Sequence, residues 1–282
     1  MKKILVPTDF SDNAYIALCY VAKLYYEEKV EITILHSFSD EVSKLTSRVD
    51  IGRSEVVLQK LHKHSEEDGK KLLERLRNDT SKLSHSYDVI STPAPLVKTI
   101  NKLVATENID MVVVGTKGRT GAEDVLMGST TISITKSLVG CPLFIVPGKV
   151  EFVIPMNIGF ATDYNEFYQI SKLKAVTRLV RQHRSVINLI HVGLESDLNE
   201  LQRENLDKFI TDLSEYDTEF HFVPKQSSVS NTIHDFIDKK DIDVLGLVYH
   251  KHAFIKQLFR EPVVSRVGKH TRIPTLVIPM QY

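Results

Sequence analysis

The sequence predicts an α/β protein that consists of two tandem, open, mostly parallel five-stranded sheets flanked by helices. Short apolar runs alternate with amphipathic stretches along the chain, an order that is typical of parallel sheets covered on both faces. The second half then repeats the order of the first, and a length of 282 residues is sufficient for two domains with separate cores. We therefore expect one domain at 1–150 and a second at 151–282.

In the first half, strands and helices are predicted to alternate. Apolar and β-branched runs predict the strands, and apolar residues spaced three and four apart predict the helices. The predicted strands cover 4–6, 30–37, 87–90, 111–114 and 143–146, and the predicted helices cover 14–25, one or two segments within 41–83, 95–106 and 132–138. Candidate N-cap residues for the first helix lie at 9–13.

Segments of the second half match segments of the first in the same order. The first strand and the Thr-Asp step that closes it, at 3–9, return at 157–163, and the final-strand pattern of 141–147 returns at 273–279. The second copy is shorter, mainly in the long helical stretch of the first. This order indicates a tandem duplication with its boundary near 148–152.

Composition excludes several classes of protein. The chain has 36 basic and 36 acidic residues, and each half is close to neutral, so no basic excess is available to bind nucleic acid. No apolar run approaches the roughly 20 residues of a membrane span, and the N-terminal apolar run is too short for a signal peptide. With only two cysteines, the sequence favours a reducing compartment. We expect a cytoplasmic protein that binds neither nucleic acid nor a membrane.

The segment that follows the strand 111–114 carries the clearest chemical signal. Three glycines precede three hydroxyl residues at the start of a helix: Gly115, Gly118, Gly128, Ser129, Thr130 and Thr131. Glycines allow a ligand to approach the backbone closely, and hydroxyls beside the free N–H groups of a helix start form an anion site. Asp9 and Ser37 also follow strands, so we expect them at the same edge of the sheet.

This pattern, G-x2-G-x9-G-[ST] after a strand, occurs with an early V-P-x-D and a final strand that begins C-P-apolar. It resembles the universal stress protein family over nearly the whole chain, as two consecutive domains. The resemblance implies a Rossmann-like, adenine nucleotide alpha hydrolase-like fold. It also implies a stress-response regulatory module whose first domain binds ATP, with or without Mg²⁺.

The resemblance to the ATP-binding branch of that family also implies roles for individual residues. Contacts to the nucleoside are implied for Pro7, Thr8 and Asp9, and backbone contacts to adenine for Ser37. The residues implied at the ribose and the phosphates are Val114, Gly115, Lys117, Gly118, Gly128, Ser129, Thr130 and Thr131.

The residues alone leave alternatives open. Asp9 could cap the first helix, and Lys117 could be a solvated loop charge. A slow ATPase or phosphoryl-transfer enzyme would need a carboxylate for a metal ion near the phosphates, for which Glu123 and Asp124 are candidates. A nucleotide-independent adaptor is the third alternative. The spacing of a classical P-loop is absent, and we assign no catalytic and no metal-binding residues.

The second copy lacks the glycine loop. Where the first copy has Gly115, Gly118 and Gly128, the second has Val248, Lys251 and Glu261, or Arg260 if the alignment moves by one residue. A β-branched side chain and an acidic one hinder close approach of a phosphate. We predict that the second domain does not bind ATP and serves pairing or partner contact.

Pairing is a further implication of the family resemblance. Family members commonly dimerise through the last strand of each domain, which here corresponds to 143–146 and 276–278. The two copies are therefore predicted to form a pseudo-dimer within one chain, which covers exposed strand edges. A homodimer of two chains is a second possibility that the sequence leaves open.

Overall fold

The computed structural model describes residues 1–46, 51–116, 127–170, 173–226, 228–249 and 273–279. The chain divides into two compact units, Met1–Phe152 and Val153–Met280. Every strand pairing that we describe within a unit is parallel.

The first unit is a five-stranded sheet with the strand order β3-β2-β1-β4-β5. Its strands are β1 (Lys2–Thr8), β2 (Val30–Ser37), β3 (Ser86–Thr92), β4 (Met111–Gly115) and β5 (Leu143–Val146). Its helices are α1 (Asp12–Leu24), α2 (Ser39–Thr46), α3 (Ile51–Asp79), α4 (Leu96–Glu107) and α5 (Ser129–Ser137). The predicted bounds of β2 and β5 coincide with the observed ones, and the charged stretch after β2 forms two helices.

The second unit repeats this sheet with the order β8-β7-β6-β9-β10. Its strands are β6 (Asn157–Ala161), β7 (Val186–Val192), β8 (Thr218–Val223), β9 (Val244–Tyr249) and β10 (Thr275–Pro279). Its helices are α6 (Lys174–His183), α7 (Glu200–Asp212) and α8 (Val229–Lys239). The predicted fold class, mostly parallel sheets flanked by helices, is thereby confirmed.

The strands are buried because parallel sheets of this kind are covered on both faces. In β4 the consecutive residues 111–114 are all buried, and so are all four residues of β5. Continuous apolar runs of this kind have no period of two, which is why the sequence predicted buried strands there. Within the described ranges, no helix combines the length and the apolar character that crossing a membrane would require.

The two units differ in the segment that follows their first strand. Helix α1 begins at Asp12, three residues after Asp9, whereas α6 begins at Lys174, eleven residues after Asp163. The described part of the intervening segment, 164–170, is neither helix nor strand. In the described residues of the second unit, no helix therefore starts directly after the first strand.

Candidate functional site

The first strand of the first unit ends in a tight turn at Thr8–Ser11. The Thr8 hydroxyl oxygen accepts a hydrogen bond from the Phe10 N–H at 3.0 Å, and Asp9 Oδ1 accepts from the N–H and the hydroxyl of Ser11 at 3.1 and 2.6 Å. Phe10 has a φ of 61°, which is rare for a bulky residue. Its ring lies 4.4 Å from that of His36, measured between centroids. The turn is therefore held by its own side chains.

This turn leads directly into helix α1. The N-cap residue is Ser11, whose hydroxyl oxygen accepts from the N–H of Ala14 at 3.3 Å. Asp9 does not cap the helix itself, but it fixes the orientation of the side chain that does. Ser11 was among the five candidate N-cap positions, and serine is one of the preferred residues at an N-cap.

Gly115, at the end of β4, lies against the start of α1. A Cβ atom at Gly115 would come within 2.9 Å of the main-chain oxygen of Asn13. A Cβ at Gly148, just after β5, would overlap the side-chain amide of the same asparagine. The end of β4 therefore requires glycine because the main chain of the first turn of α1 packs on it, whereas at Gly148 the contact is with a side chain that can move. This packing explains Gly115 without reference to a ligand, and it was not apparent from the sequence.

Helix α5 begins next to the end of β4. Its N-cap is Gly128, whose N–H donates to the Thr116 carbonyl at 2.7 Å, and the Thr131 hydroxyl donates to the Gly115 carbonyl at 2.8 Å. The first hydrogen bond of the helix runs from Ile132 N–H to the Gly128 carbonyl. The N–H groups of residues 129–131 precede it, so they have no acceptor within the helix. The N-terminus of α5 is therefore of the kind that binds anions, and two hydrogen bonds hold it to the carbonyls at the end of β4.

The hydroxyl groups at this helix start fall into two kinds. Ser129 and Thr130 are exposed, so their hydroxyls are accessible to a ligand. Thr131 is buried, and its hydroxyl donates to Gly115. The sequence assigned all three to phosphate. In the structure, the side chain of Thr131 instead connects the two ends of the loop, and its N–H remains on the helix start.

The end of β2 is braced by a buried polar network. The Ser37 hydroxyl donates to the Ala94 carbonyl at 2.7 Å, which joins the end of β2 to the residues after β3. Next to it, His36 Nδ1 lies 2.7 Å from the hydroxyl of Ser65 on α3, and that hydroxyl donates to Ser91 at 2.6 Å. The side chain of Ser37 is therefore engaged within the unit.

The remaining predicted site residues lie partly inside and partly outside the described ranges. Pro7, Thr8 and Val114 are buried in β1 and β4, and Asp9 is half-buried at the edge. Lys117 and Gly118 lie outside the described residues, as do the carboxylates at 123 and 124. The sequence reasoning missed Asn13 and Gly148, for which the sequence carries no signal.

The second unit contains a copy of the strand-end turn. The Thr162 hydroxyl oxygen accepts from the Tyr164 N–H at 3.1 Å, and Asp163 accepts from the N–H and the side-chain amide of Asn165 at 3.0 and 2.7 Å. Tyr164 has a φ of 57°, and its ring stacks on His191 at 5.1 Å. The threonine and aspartate bonds, the positive φ and the contact between aromatic ring and histidine thus recur in the second unit.

The surroundings of the second turn are different. Tyr164 is fully buried and packs on the rings of Phe209 and Phe222, and burial raises the pKa of its hydroxyl. At the register position of Gly115, β9 carries Val248, because Val248 pairs with Ile278 as Gly115 pairs with Val146. The residues predicted to replace the other glycines, 251, 260 and 261, lie outside the described residues.

Among the residues that the structure describes, no group of three or more His, Cys, Asp or Glu side chains is arranged to hold a metal ion.

Tandem units of five parallel strands, the first with a glycine-capped helix start beside β4, define a two-domain α/β protein of the kind that the motifs indicated. The family model of the universal stress protein family matches residues 1–147. The chain therefore belongs to the universal stress protein family, as the resemblance predicted.

Curated relatives resemble the first half of the chain. The universal stress protein MJ0577 of Methanocaldococcus jannaschii is 28% identical over 144 residues, which cover 48% of this chain and 88% of the relative. The universal stress protein YxiE of Bacillus subtilis is 26% identical over 147 residues, which cover 51% of this chain and 97% of the relative.

Solved structures resemble the whole chain in fold. A universal stress protein from Archaeoglobus fulgidus has a TM-score of 0.66 at 15% identity, with 98% of each chain covered. Protein PA1789 from Pseudomonas aeruginosa, described as functionally unknown, has a TM-score of 0.56 at 12% identity, with 99% and 92% covered. At such low identity the likeness concerns the fold alone.

Proposed function

We propose that the first unit binds ATP at the carboxyl edge of its sheet, that the second unit does not, and that the chain is a nucleotide-responsive regulatory protein of the stress response. The observation that carries this proposal is the start of α5. There, three N–H groups without helical acceptors lie beside the exposed hydroxyls of Ser129 and Thr130 at the end of β4. Such a helix start attracts phosphate through its N–H groups and its dipole.

The phosphate end of the proposed site is preorganised. The Gly128 N–H and the Thr131 hydroxyl both bond to the end of β4, so the helix start is fixed before a ligand arrives. The N-cap residue Gly128 has no side chain that could occupy the position of a phosphate or cap the helix itself. A preformed set of donors reduces the ordering cost of binding.

The nucleoside end of the proposed site is formed by the ends of β1, β2 and β4. Asp9 offers its carboxylate for the ribose, with Pro7 and Thr8 beside it, and the main chain of Ser37 is proposed to contact adenine. Val114 and Gly115 would flank the ribose, with Lys117 and Gly118 continuing the site as the family motif implies. These contacts, and a role for Mg²⁺, rest on the resemblance.

In the second unit, two observations support the absence of nucleotide binding. Val248 replaces the glycine at the end of the fourth strand, and the segment after the first strand forms no helix in its described part. We propose that this unit instead serves contacts to partners. The pairing of the final strands of the two copies, and a homodimer of two chains, stay predictions from the sequence.

Isothermal titration of the full chain with ATP tests the proposal. We expect one ATP per chain. In the double variant Ser129→Ala, Thr130→Ala we expect the affinity for ATP to fall at least about tenfold, because two hydrogen bonds to a charged ligand are lost. Mass spectrometry of the nucleotide that copurifies identifies whether it is ATP or another adenine nucleotide.

The matched control is Ser81→Ala with Thr106→Ala, since both residues are exposed and lie near the C-terminal ends of α3 and α4, away from the carboxyl edge of the sheet. This pair should bind ATP as the unchanged chain does. Absence of binding, two equivalent sites, or an equal loss in the control pair would overturn the proposal.

A further inference from the structure

The start of helix α8 in the second unit has main-chain donors without acceptors. The hydroxyl oxygen of the N-cap residue, Ser228, accepts from the Asn231 N–H at 3.1 Å, and the first helical hydrogen bond runs from the Thr232 N–H to the Ser228 carbonyl at 3.0 Å. Among the described residues, no acceptor bonds to the N–H of Val229 or of Ser230. Because α8 follows β8, these two donors lie at the carboxyl edge of the second sheet.

Two buried side-chain atoms in the same helical turn also lack a partner. Ser230 is only 2% exposed, and neither its hydroxyl nor Oδ1 of Asn231 makes a hydrogen bond. Side chains of a helix tilt toward its N-terminus, so both groups are directed to the start of α8. Ser230 shares the buried face of the helix with Ile233 and Ile237. Buried polar groups nearly always have a partner, so these two atoms indicate a ligand at the helix start.

The loop before α8 holds the helix start in place. The Gln226 N–H donates to the Thr232 hydroxyl oxygen at 3.4 Å, and this hydroxyl donates to the Ser228 carbonyl at 3.0 Å. Ser228 and Val229 are half-buried, so the helix start is partly accessible from solvent. Lys225, three residues before the N-cap, is exposed and has no ion-pair partner in the described ranges. The donors are therefore preformed, accessible and close in sequence to a positive charge.

We propose that the start of α8 binds inorganic phosphate. Its three donors are the N–H groups of Val229 and Ser230 and the Ser230 hydroxyl, and together they need three lone pairs, whereas a water molecule offers two. The dipole of α8 and the charge of Lys225 favour an anion. Because Ser230 is almost fully buried, an ion that bonds to its hydroxyl is enclosed, which suits a small anion and not a nucleotide. This inference is independent of ATP binding by the first unit.

The Asn231 side chain favours phosphate over sulfate. Its Oδ1 atom accepts hydrogen bonds and cannot donate them. Inorganic phosphate retains a proton at neutral pH and can donate it to this oxygen, whereas sulfate retains none. Against sulfate, the buried oxygen would stay unpaired, which costs free energy. We therefore expect the site to discriminate between two anions of similar size and shape.

The start of α7 in the same unit provides an internal comparison. Its N-cap residue, Asn199, accepts from the Gln202 N–H at 2.9 Å, and the Asn199 N–H donates to the Gln202 side-chain oxygen at 3.0 Å. This capping box satisfies donors at the helix start. The first turn also contains Glu200, whose negative charge opposes an anion. No phosphate site is therefore expected at α7.

Titration of the isotope-labelled full chain with inorganic phosphate, followed by NMR, tests the proposal and locates the site. We expect saturable shifts of the amide signals of Val229 and Ser230, because both N–H groups gain an acceptor. Sulfate should bind at least about tenfold more weakly, since one hydrogen bond to a charged ligand is missing.

Ser230→Ala separates a binding role from a structural one. Phosphate affinity should fall about tenfold, because a hydroxyl bond to a charged ligand is lost. Stability without phosphate should not fall, since the hydroxyl has no partner in the fold. A serine with a structural role alone would give the opposite pair of results.

Asn231→Asp keeps the proposal testable in a chain whose helix start is stabilised, because an acidic residue is favourable in the first turn. Phosphate binding should nevertheless be lost, since a carboxylate then faces the anion. The matched control is Asn199→Asp, which adds the same charge at the start of α7 and should bind phosphate as the unchanged chain does. Absence of saturable shifts at 229–230, equal affinity for sulfate, unchanged affinity in Ser230→Ala, or an equal loss in Asn199→Asp would overturn the proposal.

Discussion

The ends of the first strands in the two units carry the same turn in different surroundings. In both, a threonine and an aspartate hold a bulky aromatic residue at positive φ, and the aromatic ring packs on a histidine at the end of the neighbouring strand. In the first unit a helix begins directly after the turn, beside Gly115. In the second, Tyr164 is buried among aromatic rings and a valine stands in place of the glycine.

The Thr-Asp motif therefore has a structural role in both units and a proposed ligand-binding role in the first unit alone. The turn is also present in the second unit, which has no glycine at the end of its fourth strand. The primary role of the Thr-Asp pair is therefore structural. Nucleotide binding, if it distinguishes the units, must depend on what surrounds the turn. In the first unit these surroundings are Asn13 on α1, Gly115 and the start of α5.

The largest effect is expected from making the first unit resemble the second at the end of β4. Gly115→Val places a Cβ within 2.9 Å of the Asn13 main-chain oxygen, so α1 must shift. We expect a loss of about 2–3 kcal/mol in the free energy of unfolding of the first unit, from overpacking, together with loss of ATP binding. Urea denaturation and ATP titration measure the two effects.

The reverse change is the control for this prediction. Val248→Gly should destabilise the second unit without creating an ATP site, because Tyr164 remains buried beside the turn and the described residues directly after it form no helix. Tight ATP binding by a Gly115→Val chain, or a second ATP site in a Val248→Gly chain, would refute this interpretation of the two strand ends.

A smaller effect is expected from loss of the hydrogen bond between Thr131 on α5 and Gly115 on β4. Thr131→Val keeps the shape of the side chain but leaves the Gly115 carbonyl without its hydroxyl partner, which should cost about 1–2 kcal/mol of stability. ATP affinity should fall in parallel, because the helix start is no longer fixed. Thr131→Ser retains the hydroxyl and should recover most of the affinity. If the valine and serine variants of Thr131 bind ATP equally well in the titration, this hydrogen bond has no role in binding.

The twin turns allow a matched pair of substitutions. Asp9→Ala and Asp163→Ala each remove the acceptor of two hydrogen bonds, and each should cost about 1 kcal/mol of stability, as the loss of a cap does. Only Asp9→Ala should weaken ATP binding, by about tenfold. Denaturation and titration of both variants check this, and an unchanged ATP affinity in Asp9→Ala would leave the aspartate with a structural role alone.

The smallest effect concerns pH and the histidine beside the second turn. Burial lowers the pKa of His191, against the opposing influence of the Thr162 carbonyl and of Asp163. The unfolded chain therefore takes up the proton more readily, so this contribution to stability is fully present above the unfolded pKa of about 6.5 and is lost as the pH falls through the folded pKa. His191→Gln should flatten the decline in stability between neutral and acidic pH.

The control for the pH prediction is Ser81→Ala, an exposed substitution just after α3 that leaves every titratable group in place. It should leave the slope of stability against pH unchanged. A steeper slope in His191→Gln than in the unchanged chain would contradict the direction that burial gives.

Much of the fold could be predicted because its signals are local. The β-branched residues of β2 and the continuous apolar run of β5 predict those strands at their observed bounds, and the Thr-Asp repeat predicted the duplication. Contacts between distant residues could not be predicted in this way. The bond between Thr131 and Gly115 spans the loop, and the fit of Asn13 against Gly115 and Gly148 depends on how α1 packs.

The late start of α6 shows a second limit of sequence reasoning. The Thr-Asp step of the first unit recurs at 162–163, yet α6 begins eleven residues after Asp163, whereas α1 begins three residues after Asp9. Tyr164 and Tyr168 are buried, and Gln202 on α7 donates to the Asp163 carbonyl at 2.8 Å. Packing of aromatic rings across the unit thus determines this segment, and such packing has no local period.

Hydrogen exchange with and without ATP compares the two turns in one sample and so tests whether only the first unit binds ATP. We predict that saturating ATP slows exchange of the amides at 8–11 and 129–131 and leaves those at 162–165 unchanged. Equal protection of the two turns would contradict the claim that only the first unit binds. Protection of 162–165 alone, or of neither turn, would contradict the proposed site itself.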